Sequence, residues 1–217
     1  MPRPDVYISA DVETDGPIPG PYSMLSFAMT VVGHYDGRSF ERVADRSAVF
    51  VRELQPIAED FEPDALAVNG LDRDYLREHG ASPKQAMDEA SAWVREQVGS
   101  ARAVLVAYPV AFDWSFLYWY FQRYAAHGSP FGHSSCLDIR SFFLACAGTV
   151  FDEADKSRMP SFLRASTPHT HDALDDAVEQ GQLFANIFEW SLSQRRRQRH
   201  RSSAAPSWLA ERVVPIV

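Results

Sequence analysis

The sequence predicts an α/β domain with a mixed central sheet flanked by helices. Three observations predict it. Apolar runs of strand length recur at 5–11, 24–35 and 103–107. Helical patterns fill much of the chain between and after them. Asp36-Gly37 is a hairpin signal, which makes one neighbouring strand pair antiparallel.

The elements follow in order. A strand near 5–11 opens the chain, and a turn rich in Pro and Gly follows it. Met24 to Tyr35 reads as the second strand and Ser39 to Val51 as the third, joined at Asp36-Gly37. Residues 63–69 and 72–79 read as short helices. Ser82 to Val98 reads as a longer helix, with Ser82 as N-cap and Pro83 at the first position. Strand 103–107, a helix from about Trp114 to residue 126, a short strand at 136–138 and a helix at 140–147 come next. Residues 148–170 show little periodicity and are expected to form a loop over the site. A helix over 172–194 closes the domain, so 1–194 is expected to be one unit and 195–217 a basic and apolar tail.

Composition bounds the function. A chain of 217 residues is long enough for one domain with a sizeable core. No run of 18 apolar residues exists, which excludes a membrane-spanning helix, and Met1-Pro2-Arg3-Pro4-Asp5 lacks the apolar stretch of a signal peptide. A cytoplasmic protein with no membrane partner is expected. Cys136 and Cys146 lack metal-ligand spacing and are expected to be free thiols. The net charge of −8 argues against a protein that coats nucleic acid broadly. It leaves open an enzyme that grips a few phosphates and whose acidic site is neutralised by bound cations.

Four carboxylates and a histidine carry the chemistry. Asp11 and Glu13 follow the apolar run Val6-Tyr7-Ile8-Ser9-Ala10. Strand side chains alternate with period two, so both point to one face. Adjacent carboxylates repel unless a cation lies between them, and hard divalent cations prefer oxygen ligands. Asp113 lies between strand 103–107 and the aromatic helix, at a strand-to-helix junction where α/β sheets place functional residues. His171 and Asp176 stand five apart at the head of the last helical pattern, with Asp176 on the helix and His171 in the entering turn. Four such carboxylates can hold two cations about 3.5–4 Å apart, with a histidine beside them to activate water.

Other residues carry two readings. Asp15 is a turn residue or a further carboxylate near the cations. Asp138 caps a strand end or contacts the site. Asp172 and Asp175 suit a helix N-terminus. His169 is a rival base. The aromatic set from Trp114 to Phe121 is core, with one or two rings available to stack on a base. The block Arg195-Arg196-Arg197-Gln198-Arg199-His200-Arg201 suits the C-terminal end of a helix or contacts nucleic acid. Trp208 to Val217 is apolar enough to pack on the domain or on a second subunit, which would give a homodimer.

Taken together, the segments resemble the three motifs of the DEDD superfamily of 3′→5′ exonucleases, in its histidine subgroup. The first motif is matched by Asp11 and Glu13, and the second by Asp113. The third, His-x-Ala-x-x-Asp-Ala, is matched by His171, Ala173, Asp176 and Ala177. The resemblance covers roughly residues 5–190 and includes Pro63-Asp64-Ala65 to Asn69-Gly70-Leu71 and Leu137-Asp138. It implies a ribonuclease H-like fold and hydrolysis of phosphodiester bonds at the 3′ end of single-stranded RNA or DNA, releasing nucleoside 5′-monophosphates. It further implies two Mg²⁺ or Mn²⁺ ions on Asp11, Glu13, Asp113 and Asp176, and His171 as the catalytic base. Thr14, Met24 and Leu25 would bind the terminal nucleotide. The chain departs from the pattern at Tyr108-Pro109-Val110-Ala111, where many relatives carry an Asn, and at Asp15, where many carry a small or hydroxylic residue. Pro17, Pro19 and Pro21 stiffen the turn that follows. The rival functions are a catalytically silent binding domain and a nuclease subunit of a larger repair or polymerase assembly.

Overall fold

The computed structural model describes residues 3–203, with side chains to residue 197. A mixed sheet is built from β1 (Asp5–Thr14), β2 (Met24–Tyr35), β3 (Phe40–Arg42), β4 (Val49–Glu53), β5 (Arg102–Ala107) and β6 (Cys136–Asp138). Its strand order is β3-β2-β1-β5-β6, with β4 also paired to β2. The β2–β3 pair is antiparallel, as the hairpin signal required, and so is β1–β2, while β1–β5 and β5–β6 are parallel. The helices are α1 (Pro63–Asn69), α2 (Arg73–His79), α3 (Pro83–Val98), α4 (Val110–Tyr124), α5 (Ile139–Ala147) and α6 (Ala173–Ser203).

Period-two alternation in β1 divides the core. Val6, Ile8, Ala10 and Val12 join the cluster shared with α3 and α4, including Phe116 and Tyr120. Tyr7 belongs to the opposite cluster, with Phe184, Ile187 and Phe188 of α6 and Ile139 and Phe143 of α5. The helix lies close on the sheet at Gly181, where an added Cβ would stand 3.1 Å from Val32 Cγ2 and 3.3 Å from Ser9 Cβ. That approach brings the first turns of α6 against β1.

Several boundaries differ from expectation. The third strand splits into β3 and β4, because the chain turns away from β2 over residues 44–47, where Ser47 N donates to Ala44 O at 3.1 Å. Helix α4 starts at Val110, four residues before the expected Trp114, since Asp138 Oδ2 accepts from Val110 N at 3.0 Å. The carboxylate of Asp138 also caps α5 through Ser141 N at 2.7 Å, so capping is its role. Segment 148–170 contains 3₁₀ turns at Phe151–Ala154 and Ser161–Leu163, and it buries Ala154, Met159 and Leu163 against α5 and α6. Helix α6 runs on to Ser203, so the boundary expected at 194 falls inside a helix, with Arg195 to Arg201 on its last turns. Trp208 to Val217 lie outside the described residues. Among the described residues no helix is long and apolar enough to cross a membrane, and both cysteines are free.

Candidate active site

The site lies beyond the carboxyl ends of the parallel strands β1 and β5, the usual crevice of such a sheet. Asp11 and Glu13 sit in uninterrupted register opposite Ala28 and Ser26 of β2, so the alternation holds and both face α6. Asp113 and Asp176 lie in the first turns of α4 and α6, where the helix dipole favours negative charge. All four line one cavity of about 420 Å³. Ligand oxygens of Asp11, Glu13 and Asp176 lie within 4.8 Å of one another.

Three of the four carboxylates are positioned by a backbone or amide donor. Asp113 Oδ1 accepts from Val12 N at 3.1 Å, which ties α4 to β1. Asp11 Oδ1 accepts from Gln180 Nε2 at 2.7 Å. Asp176 Oδ1 and Oδ2 accept from Thr170 N at 2.8 Å and His171 N at 2.9 Å. The result is electrostatically unfavourable without a cation. Burial, then the charges of Asp113, Glu13 and Asp176, raise Asp11 well above the usual carboxylate range. Burial, then Asp176 and Asp113, push Glu13 up to about 8. Burial raises Asp113 as well. Desolvation and like charge both disfavour the ionised form. Oxygen-only donors from three separate elements fit hard divalent cations.

The histidines lie at the mouth of the same cavity. His171 is exposed and takes a left-handed backbone, φ 60°, at the turn into α6. His169 also lines the cavity, with Nδ1 2.9 Å from Asp176 Oδ2. Thr14 lines the wall, and its hydroxyl donates to Gly16 O at 2.9 Å.

Met24 and Leu25 are corrected. Both are fully buried and neither lines the cavity. Met24 N donates to the Tyr120 hydroxyl at 2.7 Å, which seats this end of β2 against α4 in the main core. The apolar cavity wall instead comes from Ala65 and Val68 of α1, from Pro109 and from Phe112 of α4. Asp15 is a turn residue, fully buried and paired with Arg73 at 2.7 Å, away from the cavity. Asp172 accepts from Leu174 N and Asp175 N at 3.0 Å, as a residue at a helix start does. Asp175 pairs with Arg46. In the aromatic helix Phe116, Tyr120 and Phe121 are core, and Phe112 reaches the cavity.

Sequence reasoning missed Gln180 and Lys156. Gln180 Oε1 accepts from Tyr108 N at 2.6 Å while its Nε2 holds Asp11. Its signal was spacing, one helical turn past Asp176. Lys156 pairs with Glu179 at 2.5 Å and lies 4.9 Å from the Tyr108 ring centroid, and its charge offsets part of the rise at Asp11 and Asp113. It is one of two lysines in the chain, which marks it without saying where it folds.

No family model matches the chain. It is 36% identical over 184 residues to the 3′–5′ DNA exonuclease Cap18 of Escherichia coli, covering 84% of this chain and 91% of that protein. It is 29% identical over 182 residues to ribonuclease T of Shewanella denitrificans, covering 82% and 77%. Among solved structures, the nuclease domain of 3′hExo, a DEDDh family member bound to rAMP, superposes with a TM-score of 0.62 at 12% identity, covering 86% of this chain and 92% of that one.

Proposed function

The chain belongs to the DEDD superfamily of 3′→5′ exonucleases, and from that premise we propose that Asp11, Glu13, Asp113 and Asp176 hold two Mg²⁺ or Mn²⁺ ions beside His171 as general base. The observation that carries this reading is the convergence of four carboxylates from three elements on one cavity, with Glu13 pushed up to about 8. A buried cluster so costly to ionise is most simply a cation cage.

Two divalent cations in such a cage supply Lewis acidity, which favours hydroxide at neutral pH and offsets charge on the leaving 3′-oxygen. The chain's residues do the rest. Gln180 fixes the rotamer of Asp11, and Val12 N fixes Asp113. The imidazole of His171 accepts the proton of the attacking water. Its exposed place at the mouth lets it pass that proton to solvent. Phe112 and Val68, 37% and 57% exposed, present apolar surface to the terminal base. Stacking and apolar contact tolerate any base, as an exonuclease requires. The products are nucleoside 5′-monophosphates.

Single-stranded DNA is the first substrate to test, because the relative at 36% identity is named a DNA exonuclease. The likeness to ribonuclease T makes RNA the second. The test is digestion of matched DNA and RNA oligomers, labelled at the 5′ end, with Mg²⁺ or Mn²⁺ and with EDTA. A ladder shortening from the 3′ end only with metal is expected. Cleavage in EDTA, or none with either metal, overturns the proposal.

A further inference from the structure

His169 has no part in the reaction just described, yet its ring is drawn into the site. Its Nδ1 lies 2.9 Å from Asp176 Oδ2, and its ring centroid lies 4.5 Å from that of His171, edge to face. One ligand atom from each of His169, His171 and Asp176 falls within 4.8 Å of the other two. Two imidazoles and a carboxylate make a donor set unlike the oxygen cage beside it. Imidazole nitrogen suits zinc and its neighbours in the transition series, whereas magnesium takes oxygen and water. Three protein ligands with a fourth position left to water is a common zinc arrangement.

We propose that His169, His171 and Asp176 form a Zn²⁺ site which, when filled, switches the exonuclease off. The anchor is rigid: Asp176 is 1% exposed and held by the N–H groups of Thr170 and His171. The other two ligands are exposed. Zn–N bonds are about 2.0–2.1 Å, so the rings must draw in around the ion, which side-chain rotation permits. Zinc takes His171 through a neutral ring nitrogen. That occupies the lone pair needed for the proton of the attacking water, and it ties down a carboxylate of the adjoining cage. The switching rests on the reading of His171 as base; the site itself does not.

The test uses the full chain in saturating Mg²⁺, so that the oxygen cage is filled. Zinc affinity is measured by competition with a chromophoric chelator, and Co²⁺ is added separately to read its visible absorption. The wild type is expected to take one Zn²⁺ per chain and to give a cobalt spectrum of low coordination number. His169→Gln, at a half-exposed position, removes a ligand outright and is expected to weaken zinc binding by more than the roughly 10–100-fold that loss of an outer-shell partner costs, and to lose the cobalt bands. In Mg²⁺ without zinc the variant should remain active, and inhibition is read for each protein as the ratio of its rates with and without zinc. With micromolar zinc the wild type should stop and the variant should continue. Superimposable zinc isotherms for wild type and H169Q would overturn the site. Zinc held through His169 without loss of activity would uphold the site and overturn the switch.

Discussion

The backbone N–H of His171 donates to Oδ2 of Asp176 at 2.9 Å, while Thr170 N donates to Oδ1 at 2.8 Å. One side chain therefore holds the turn carrying His171 and, in the proposed cage, would offer its free lone pairs to a cation. A left-handed backbone at a residue with a Cβ costs on the order of 1–3 kcal/mol, and these two bonds offset that cost at His171. Asp176→Ala and Asp176→Asn should both abolish activity, but they should differ in the turn. Asn keeps one carbonyl acceptor and Ala keeps none. Amide hydrogen exchange at Thr170 and His171 should be fastest in the Ala variant. Equal protection in the two variants would show that the turn holds itself.

Gln180 is the test of indirect support. It is buried, and its amide spans Asp11 and Tyr108 N. Gln180→Leu leaves a buried N–H without an acceptor, which costs about 1–3 kcal/mol in urea unfolding. It also frees Asp11 to rotate, so Mg²⁺ affinity should fall on the order of 10–100-fold. Unchanged affinity alongside lost stability would confine Gln180 to a structural role.

The raised carboxyls set a pH dependence with a definite sign. A group whose pKa is raised by folding holds more protons in the folded state, so stability falls as pH climbs from the unfolded value to the folded one. For Glu13 that window runs from about 4.3 in the unfolded chain to about 8. Metal-free protein should lose melting temperature across this window more steeply than the Glu13→Gln variant. Cation binding strips these protons, so at pH 6.5 Mg²⁺ binding should release protons, read by calorimetry in buffers of different ionisation enthalpy. At pH 9 the release should be smaller, because Glu13, at about 8, is then largely ionised before the cation binds. Proton release that did not diminish with pH would contradict the raised values.

How much of this was legible in the sequence depends on how local each cause is. The motif carboxylates were legible because strand alternation and a helix start place Asp11, Glu13 and Asp176 from neighbouring residues alone. The start of α4 was not, because its cap comes from Asp138, 28 residues downstream. The break between β3 and β4 was missed because Val43 and Ala48, on either side of it, pack on the core and still bond to β2, Val43 N donating to Val32 O at 2.9 Å and Ala48 O accepting from Val31 N at 3.0 Å. Met24 was misplaced because Tyr120 of α4 closes on its end of β2, and no residue near it signals that cover; Leu25 beside it is fully buried as well.

Asp15 and Arg73 form a buried pair at 2.7 Å, and Asp15 also accepts from Ser23 N at 2.5 Å. Arg73 further donates to the carbonyls of Asp60 and Ala58. This pair locks the Pro-rich turn to the start of α2. Asp15→Ala strands a buried guanidinium and should destabilise by about 3–5 kcal/mol. Arg73→Met added to it should recover part of that loss. A double variant no more stable than Asp15→Ala would mean that the Ser23 contact, rather than the pair, holds the turn.

His171 is separated from the cation ligands by what its loss leaves intact. A general base contributes typically about 10²–10⁴-fold. His171→Ala should lower kcat by that order while KM and Mg²⁺ affinity change little, because its ring is exposed at the mouth and its backbone bond to Asp176 survives the substitution. Added imidazole should restore part of the rate, since the space vacated opens on the cavity. Asp11→Ala, Glu13→Ala and Asp113→Ala remove oxygens from the cage itself, so imidazole should restore nothing there. His169→Ala should be mild when zinc is absent. Were His171→Ala to weaken Mg²⁺ binding as much as Asp176→Ala, or His169→Ala to prove the more damaging change, the base would have to be reassigned.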